Sequence, residues 1–119
     1  MRLTEELRLR TKVFGSSIIR IYLQLPRERE EVRLLARQMI RSGTSVAAHA
    51  REASRARSDA EFCSKLDCLF QEADETQLWL EYLIEDCKIP YPTLPAIHRE
   101  AGEILAIFTT IVAKVRKSL

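Results

Sequence analysis

Glycine and proline are scarce. Three glycines and four prolines in 119 residues are too few to turn a chain through the many short strands of a sandwich or barrel. Long apolar runs are also missing. The longest, Ile104 to Phe108, falls far short of the roughly 20 residues a membrane-spanning helix needs. The first residues, MRLTEELRLR, alternate charge with leucine and contain no apolar stretch of the signal-peptide kind, which predicts a cytoplasmic protein. The three cysteines, Cys63, Cys68 and Cys87, are odd in number and include no C-x-x-C pair, so they read as small apolar side chains.

What is abundant is amphipathic helix. Hydrophobic residues make up 46% and charged residues 30% of the chain, a balance that suits one folded domain of 13.7 kDa over residues 1–119. Apolar residues recur at three-and-four spacing through four segments. The first stripe is Leu7, Phe14, Ile18, Ile21 and Leu25, with Thr4 as N-cap and Pro26 as exit. The second is Val32, Leu35, Met39, Gly43, Val46, Ala50 and Ala53. Gly43 costs about 1 kcal/mol in a helix interior, which predicts close approach of another backbone there. Ser58 and Glu61 are spaced as a capping box ahead of the third stripe: Phe62, Leu66, Leu69, Ala73, Thr76, Leu80, Leu83 and Cys87. After the stiff KIPYPTLP connection comes the fourth: Leu94, Ile97, Ala101, Ile104, Phe108, Ile111, Val115 and Leu119. The pattern predicts helices at about 4–24, 28–55, 59–88 and 94–117. The expected fold class is all-α, an antiparallel up-down-up-down four-helix bundle.

Several stripes are broad. Helix one adds Ile19, Tyr22 and Leu23; helix three adds Phe70, Trp79, Tyr82 and Ile84. That is more apolar surface than one small bundle hides, so the expected state is a homo-oligomer, the chain's first partner being itself. Charge is unevenly placed. The net charge is +2, but residues 1–26 carry +3, residues 27–57 carry +4, residues 58–89 carry −7 and residues 90–119 carry +2. Such blocks can pair within a bundle or between subunits.

Chemistry-bearing constellations are few. Ser45, His49 and Glu52 share one helical face in the order of nucleophile, base and orienting acid. A single helix supplies no second backbone element for an oxyanion hole, so no catalytic residue is assigned and no enzyme is expected. A bundle dimetal site would need Glu-x-x-His twice, and Val46 and Pro95 stand three residues before the two histidines. No Gly-rich phosphate loop occurs. No metal or cofactor is therefore expected. The densest polar patterns are REASRARSDAEF (51–62) and QEADETQLWLE (71–81). Arg51, Arg55 and Arg57 crowd the end of helix two, while Glu72, Asp74, Glu75 and Glu81 load helix three. The arginines can meet these carboxylates, or they can bind phosphate. For nucleic acid the candidate contacts are Arg8, Arg10, Lys12, Arg20, Arg33 and Arg37, with Lys114, Arg116 and Lys117 at the C-terminus.

The blocks Arg41-Ser42-Gly43-Thr44-Ser45-Val46-Ala47, Arg51-Glu52-Ala53, Arg57-Ser58, Glu61-Phe62, Glu72-Ala73-Asp74-Glu75 and Trp79-Leu80-Glu81 span roughly residues 38–84. In this order and spacing they resemble the four-helix bundle family of 23S ribosomal RNA intervening-sequence proteins. They also resemble the related accessory variability protein of diversity-generating retroelements. The family commonly has Asn where this chain has His49. The resemblance implies a cytosolic bundle that assembles into a barrel-like pentamer. It implies that Arg41, Arg51, Glu52, Arg57, Glu61, Glu72, Asp74 and Glu75 knit helices two and three together and join subunits. It leaves two functional expectations: a non-enzymatic assembly or interaction scaffold, or an accessory factor that binds RNA or DNA, or a nucleic-acid-processing protein, through basic surface.

Overall fold

The computed structural model describes residues 3–119. Each helix starts and stops for a local reason. In α1 (Glu5–Gln24), Thr4 stands in extended backbone and its Oγ1 accepts the Leu7 N–H at 3.2 Å. Glu5 and Glu6 lie near the positive end of the helix dipole. Pro26 forces Leu25 out of the helical region, to ψ 145°. Arg27 closes this end by donating to the Tyr22 carbonyl at 2.7 Å while stacking over the Tyr22 ring.

Helix α2 (Glu30–Ser54) begins at Glu30, two residues later than its periodicity suggests, because Glu28 and Arg29 complete the turn after Pro26. Helix α3 (Asp59–Glu81) is capped by Ser58, whose Oγ accepts the Glu61 N–H at 3.1 Å. The reciprocal half expected of a capping box is not what Glu61 makes. Its carboxylate lies 3.8 Å from Nε of Arg57. The α-helical part of α3 stops at Glu81, short of the expected 88. It runs on as a π-helical turn, Tyr82–Asp86, closed by Cys87 N–H to Tyr82 O and Ile89 N–H to Leu83 O, both at 3.0 Å. Leu80, Leu83 and Cys87 all face inward through this stretch. Lys88 then takes a left-handed conformation, φ 59°, before the proline-rich connection. In α4 (Thr93–Lys117), Pro95 sits in the first turn, where a missing N–H breaks no helical bond.

Cross-helix pairs give the topology. Residues 8 and 12 of α1 lie beside 51–55 of α2. Arg41 of α2 meets Glu72 and Glu75 of α3, while Glu52 meets Lys65. Gln77 of α3 donates to the His98 carbonyl of α4, and Asp67 accepts from Arg116. Arg10 of α1 meets Glu100 of α4, while Gln24 meets Tyr91. Each neighbouring pair therefore runs antiparallel, and the four helices form an up-down-up-down bundle, 48 × 20 × 19 Å, with no strand among the described residues. The α1–α4 seam is the most sparsely packed of the four.

The core follows the stripes. Phe14, Ile18, Met39, Phe62, Leu66, Leu80, Ile104 and Phe108 are fully buried. Two departures carry information. Leu119, expected at the end of the last stripe, is exposed, and Val112 is buried in addition to the expected positions. At Gly43 the close neighbour is a side chain rather than a backbone: a Cβ there would lie 2.8 Å from Cγ1 of Ile18. Backbone is the neighbour at Gly15 opposite, where an added Cβ would lie 3.7 Å from the α-carbon of Thr44.

Candidate interaction surfaces

Four surfaces distinguish the bundle. The first is a polar ladder between α2 and α3. Arg41 Nη2 donates to Glu75 Oε1 at 3.1 Å, and its Nη1 lies 3.6 Å from Glu72. Two turns on, His49 Nδ1 meets Glu52 Oε1 at 2.7 Å, while its Nε2 lies 3.9 Å from Glu72. Lys65 reaches Glu52 from the other side at 3.5 Å. The hydrogen bond from His49, helped by the nearby Lys65 charge, holds the Glu52 carboxyl below the usual carboxylate range. Beneath the ladder lies a buried hydroxyl pair, Ser42 Oγ and Thr76 Oγ1 at 2.7 Å. Of the expected network, Arg41, Glu52, Glu72 and Glu75 come together here, joined by His49 and Lys65. Arg57 and Glu61 pair at the turn between the helices, Asp74 is exposed on α3, and Arg51 faces the α1 side.

Ser45 stands next to His49 in sequence register but not in chemistry. Its Oγ donates to the Arg41 carbonyl at 2.7 Å, so its proton is committed to its own helix. Among the described residues, no group of three or more His, Cys, Asp or Glu is disposed to hold a metal ion. Nor is any helix among them long and apolar enough to cross a membrane.

The second surface is a cleft of about 430 Å³ between the start of α1 and the end of α2. Arg8, Lys12, Arg51 and Arg55 line it with Ser54, Leu9 and a single carboxylate, Glu5. Arg8 and Lys12 belong to the expected basic set; Arg51 and Arg55 do not. A signal was present in the sequence. Both pairs are like charges at i, i+4, which repel on a helix unless something compensates them.

The remaining basic candidates are dispersed. Arg10 forms a bidentate pair with Glu100, both bonds 2.8 Å, and reaches Glu103 at 3.3 Å. Glu100 first, through those bonds, raises the Arg10 pKa above its ordinary value. Arg33 lies 3.6 Å from Glu30, and Arg116 donates to Asp67 at 2.7 Å. Arg20 lines a groove on the α1–α4 seam, and Arg37, Lys114 and Lys117 are exposed.

The third and fourth surfaces are apolar rows on the outside. On α1, Leu9 (58% exposed), Val13, Ile19 and Leu23 (65%) lie on the face opposite the core, beside Lys12 and Arg20. On α3, Leu78 and Tyr82 stand in one row with the exposed acids Asp74, Glu85 and Asp86. Trp79 packs beside them, its ring 6.3 Å from that of Tyr82, and is half-buried against the core.

Fold and surface together define an all-α antiparallel bundle that presents an α2–α3 polar ladder. The sequence profile of the 23S rRNA-intervening sequence proteins matches residues 7–110, and the chain belongs to that family. It is similar to a crystal structure of a protein of unknown function from the S23 ribosomal protein family of Bacteroides thetaiotaomicron. The two share 34% identity over 89% of this chain and 97% of that one, with a TM-score of 0.81. No curated protein matches the chain.

Proposed function

We propose that this protein is a non-enzymatic, cytoplasmic assembly scaffold whose chains close into a ring of five. The observation that supports this reading is the pairing of unlike faces on diagonal helices. The α1 row is apolar and basic; the α3 row is apolar and acidic. Exposed leucines in such a row cost hydration free energy until something covers them, at about 25 cal/mol per Å². A second copy offers the complement in both polarity and charge. Diagonal helices point their outer faces to opposite sides, so a contact from α1 to a neighbour's α3 is heterologous. Heterologous contacts close into rings when the rotation per subunit permits.

Sedimentation velocity at micromolar concentration tests the reading. A single species of about five chain masses is expected, and Leu9→Glu/Leu23→Glu should release helical monomers. Monomers alone in the wild type would overturn it. The alternative, an accessory factor that binds RNA or DNA through basic surface, has weaker support. Arg10, Arg33 and Arg116, three of its nine candidate contacts, lie beside carboxylates instead.

A further inference from the structure

We propose that the cleft between the start of α1 and the end of α2 binds a small molecule bearing two adjacent phosphate groups. Four cationic side chains from two helices converge on it, Arg8 and Lys12 from one and Arg51 and Arg55 from the other, against the single carboxylate of Glu5. Its volume, about 430 Å³, lies within the range of small-ligand pockets.

Three features favour a ligand over a merely solvated basic corner. Arg8 lines the cleft, and its Nε–H is shielded from water with no acceptor. A buried donor left unpaired on a charged group is costly, and a phosphate oxygen is a strong acceptor. The two i, i+4 like-charge pairs destabilise their helices until an anion lies between them. Arg51 alone could be explained as a cation complementing the negative end of α2. That explanation does not reach Arg8 and Lys12, which sit near the opposite, positive end of α1.

A single phosphate would leave cations over, whereas two adjacent ones match four cations less one carboxylate. The Ser54 hydroxyl adds a hydrogen-bonding group, and Leu9 adds an apolar wall for the rest of the molecule. A compact ligand fits better than a nucleic-acid backbone because the charge is concentrated in one concavity. Beyond it, Arg10 and Arg116 are spent on carboxylates. All four cations come from one protomer; Leu9 and Lys12 are shared with the α1 row of the proposed ring contact, whereas Arg8, Arg51 and Arg55 lie outside that row.

The test is calorimetric titration of inorganic pyrophosphate into the full chain at low salt, with an RNA oligonucleotide titrated and used as competitor in a second arm. Arg51→Gln/Arg55→Gln removes two cations at exposed positions, and Arg33→Gln/Arg37→Gln removes two at the far end of α2. Circular dichroism confirms that both variants fold. We expect saturable one-to-one pyrophosphate binding, weakened about tenfold or more by the first pair and unchanged by the second. No saturable binding would overturn the proposal. So would equal weakening by both pairs, which marks diffuse attraction. RNA binding that needs Arg51 and Arg55 while pyrophosphate neither binds nor competes would also overturn it.

Discussion

Ile18 occupies the space that a side chain on Gly43 would need. A Cβ at position 43 would lie 2.8 Å from Cγ1 and 2.9 Å from Cγ2 of Ile18. Ile18 is fully buried and β-branched, so it cannot swing aside. Ordinary helix propensity favours Gly43→Ala by about 1 kcal/mol, but overpacking a core costs about 1–3 kcal/mol. We expect Gly43→Ala to forfeit its propensity gain and to destabilise the fold by up to about 2 kcal/mol in chemical denaturation. Ile18→Ala alone should cost about 2–5 kcal/mol, and the double variant clearly less than the sum. Additive losses would show that the clash is not what fixes glycine here.

The hydroxyls of Ser42 and Thr76 pin the register of α2 against α3 from inside the core. Thr76 Oγ1 donates to the Glu72 carbonyl at 2.8 Å, leaving Ser42 to donate to Thr76 at 2.7 Å. Thr76→Val removes the Ser42 partner and leaves only the longer 3.3 Å contact to the Met39 carbonyl. The expected loss is about 1–3 kcal/mol by denaturant titration. Ser42→Ala/Thr76→Val should cost less than Thr76→Val and Ser42→Ala summed, because no orphaned hydroxyl remains.

The four helices were legible because their apolar spacing is regular from Leu7 to Phe108 and because Thr4, Pro26 and Ser58 punctuate them with strong local signals. Other features were not, and the reason is physical. Ser42 is a polar residue in an apolar seam, and its partner lies 34 positions away, so periodicity alone cannot place it inside. Leu80, Leu83 and Cys87 keep three-and-four spacing and are all buried, so the seam reads as unbroken α-helix although Tyr82–Asp86 is a π-helical turn. Which arginines meet carboxylates depends on helix-to-helix register. Arg10 finds Glu100 90 positions away, whereas Arg8, two residues earlier, turns toward the cleft. Both look alike in sequence.

Acid should loosen the α2–α3 ladder. Glu52 titrates below the ordinary carboxylate value because the folded state stabilises its charge, chiefly through His49. A folded-state pKa lower than the unfolded one contributes stability above the unfolded value, lost as pH falls through the folded one. Stability should therefore drop below about pH 5, and Glu52→Gln should flatten that part of the profile. Glu52 is half exposed, so the difference should be about 0.5 kcal/mol. Equal slopes for wild type and variant between pH 5 and 3 would exclude this contribution.

Lys88 carries φ 59°, a region that costs an L-residue with a Cβ about 1–2 kcal/mol and glycine almost nothing. It ends the π-helical turn, where the chain must reverse into Ile89 and Pro90. Lys88→Gly should raise unfolding free energy by about 0.5–1 kcal/mol, the relieved strain exceeding the added freedom of the unfolded chain. A lower thermal midpoint would show that the lysine side chain has a role the backbone does not reveal.

Arg10 belongs to the bundle's weakest seam rather than to a nucleic-acid surface. Helices α1 and α4 are the most sparsely packed neighbours, and a groove of about 300 Å³ opens between their Ser17 and Ile97 regions. On one side of that groove Arg10 grips Glu100 through two 2.8 Å bonds; on the other, Tyr91 Oη donates to the Gln24 carbonyl at 3.1 Å. A bidentate, partly buried pair is worth more than an ordinary surface ion pair, about 1 kcal/mol. Arg10→Met keeps the aliphatic stem and removes the grip. It should lower stability by about that amount and speed amide exchange in α1 and α4 more than in α2 and α3. Because Arg10 is already satisfied by carboxylates, the same variant should leave pyrophosphate affinity unchanged. A variant that kept full stability yet lost anion binding would reverse the assignment and return Arg10 to the ligand-facing set.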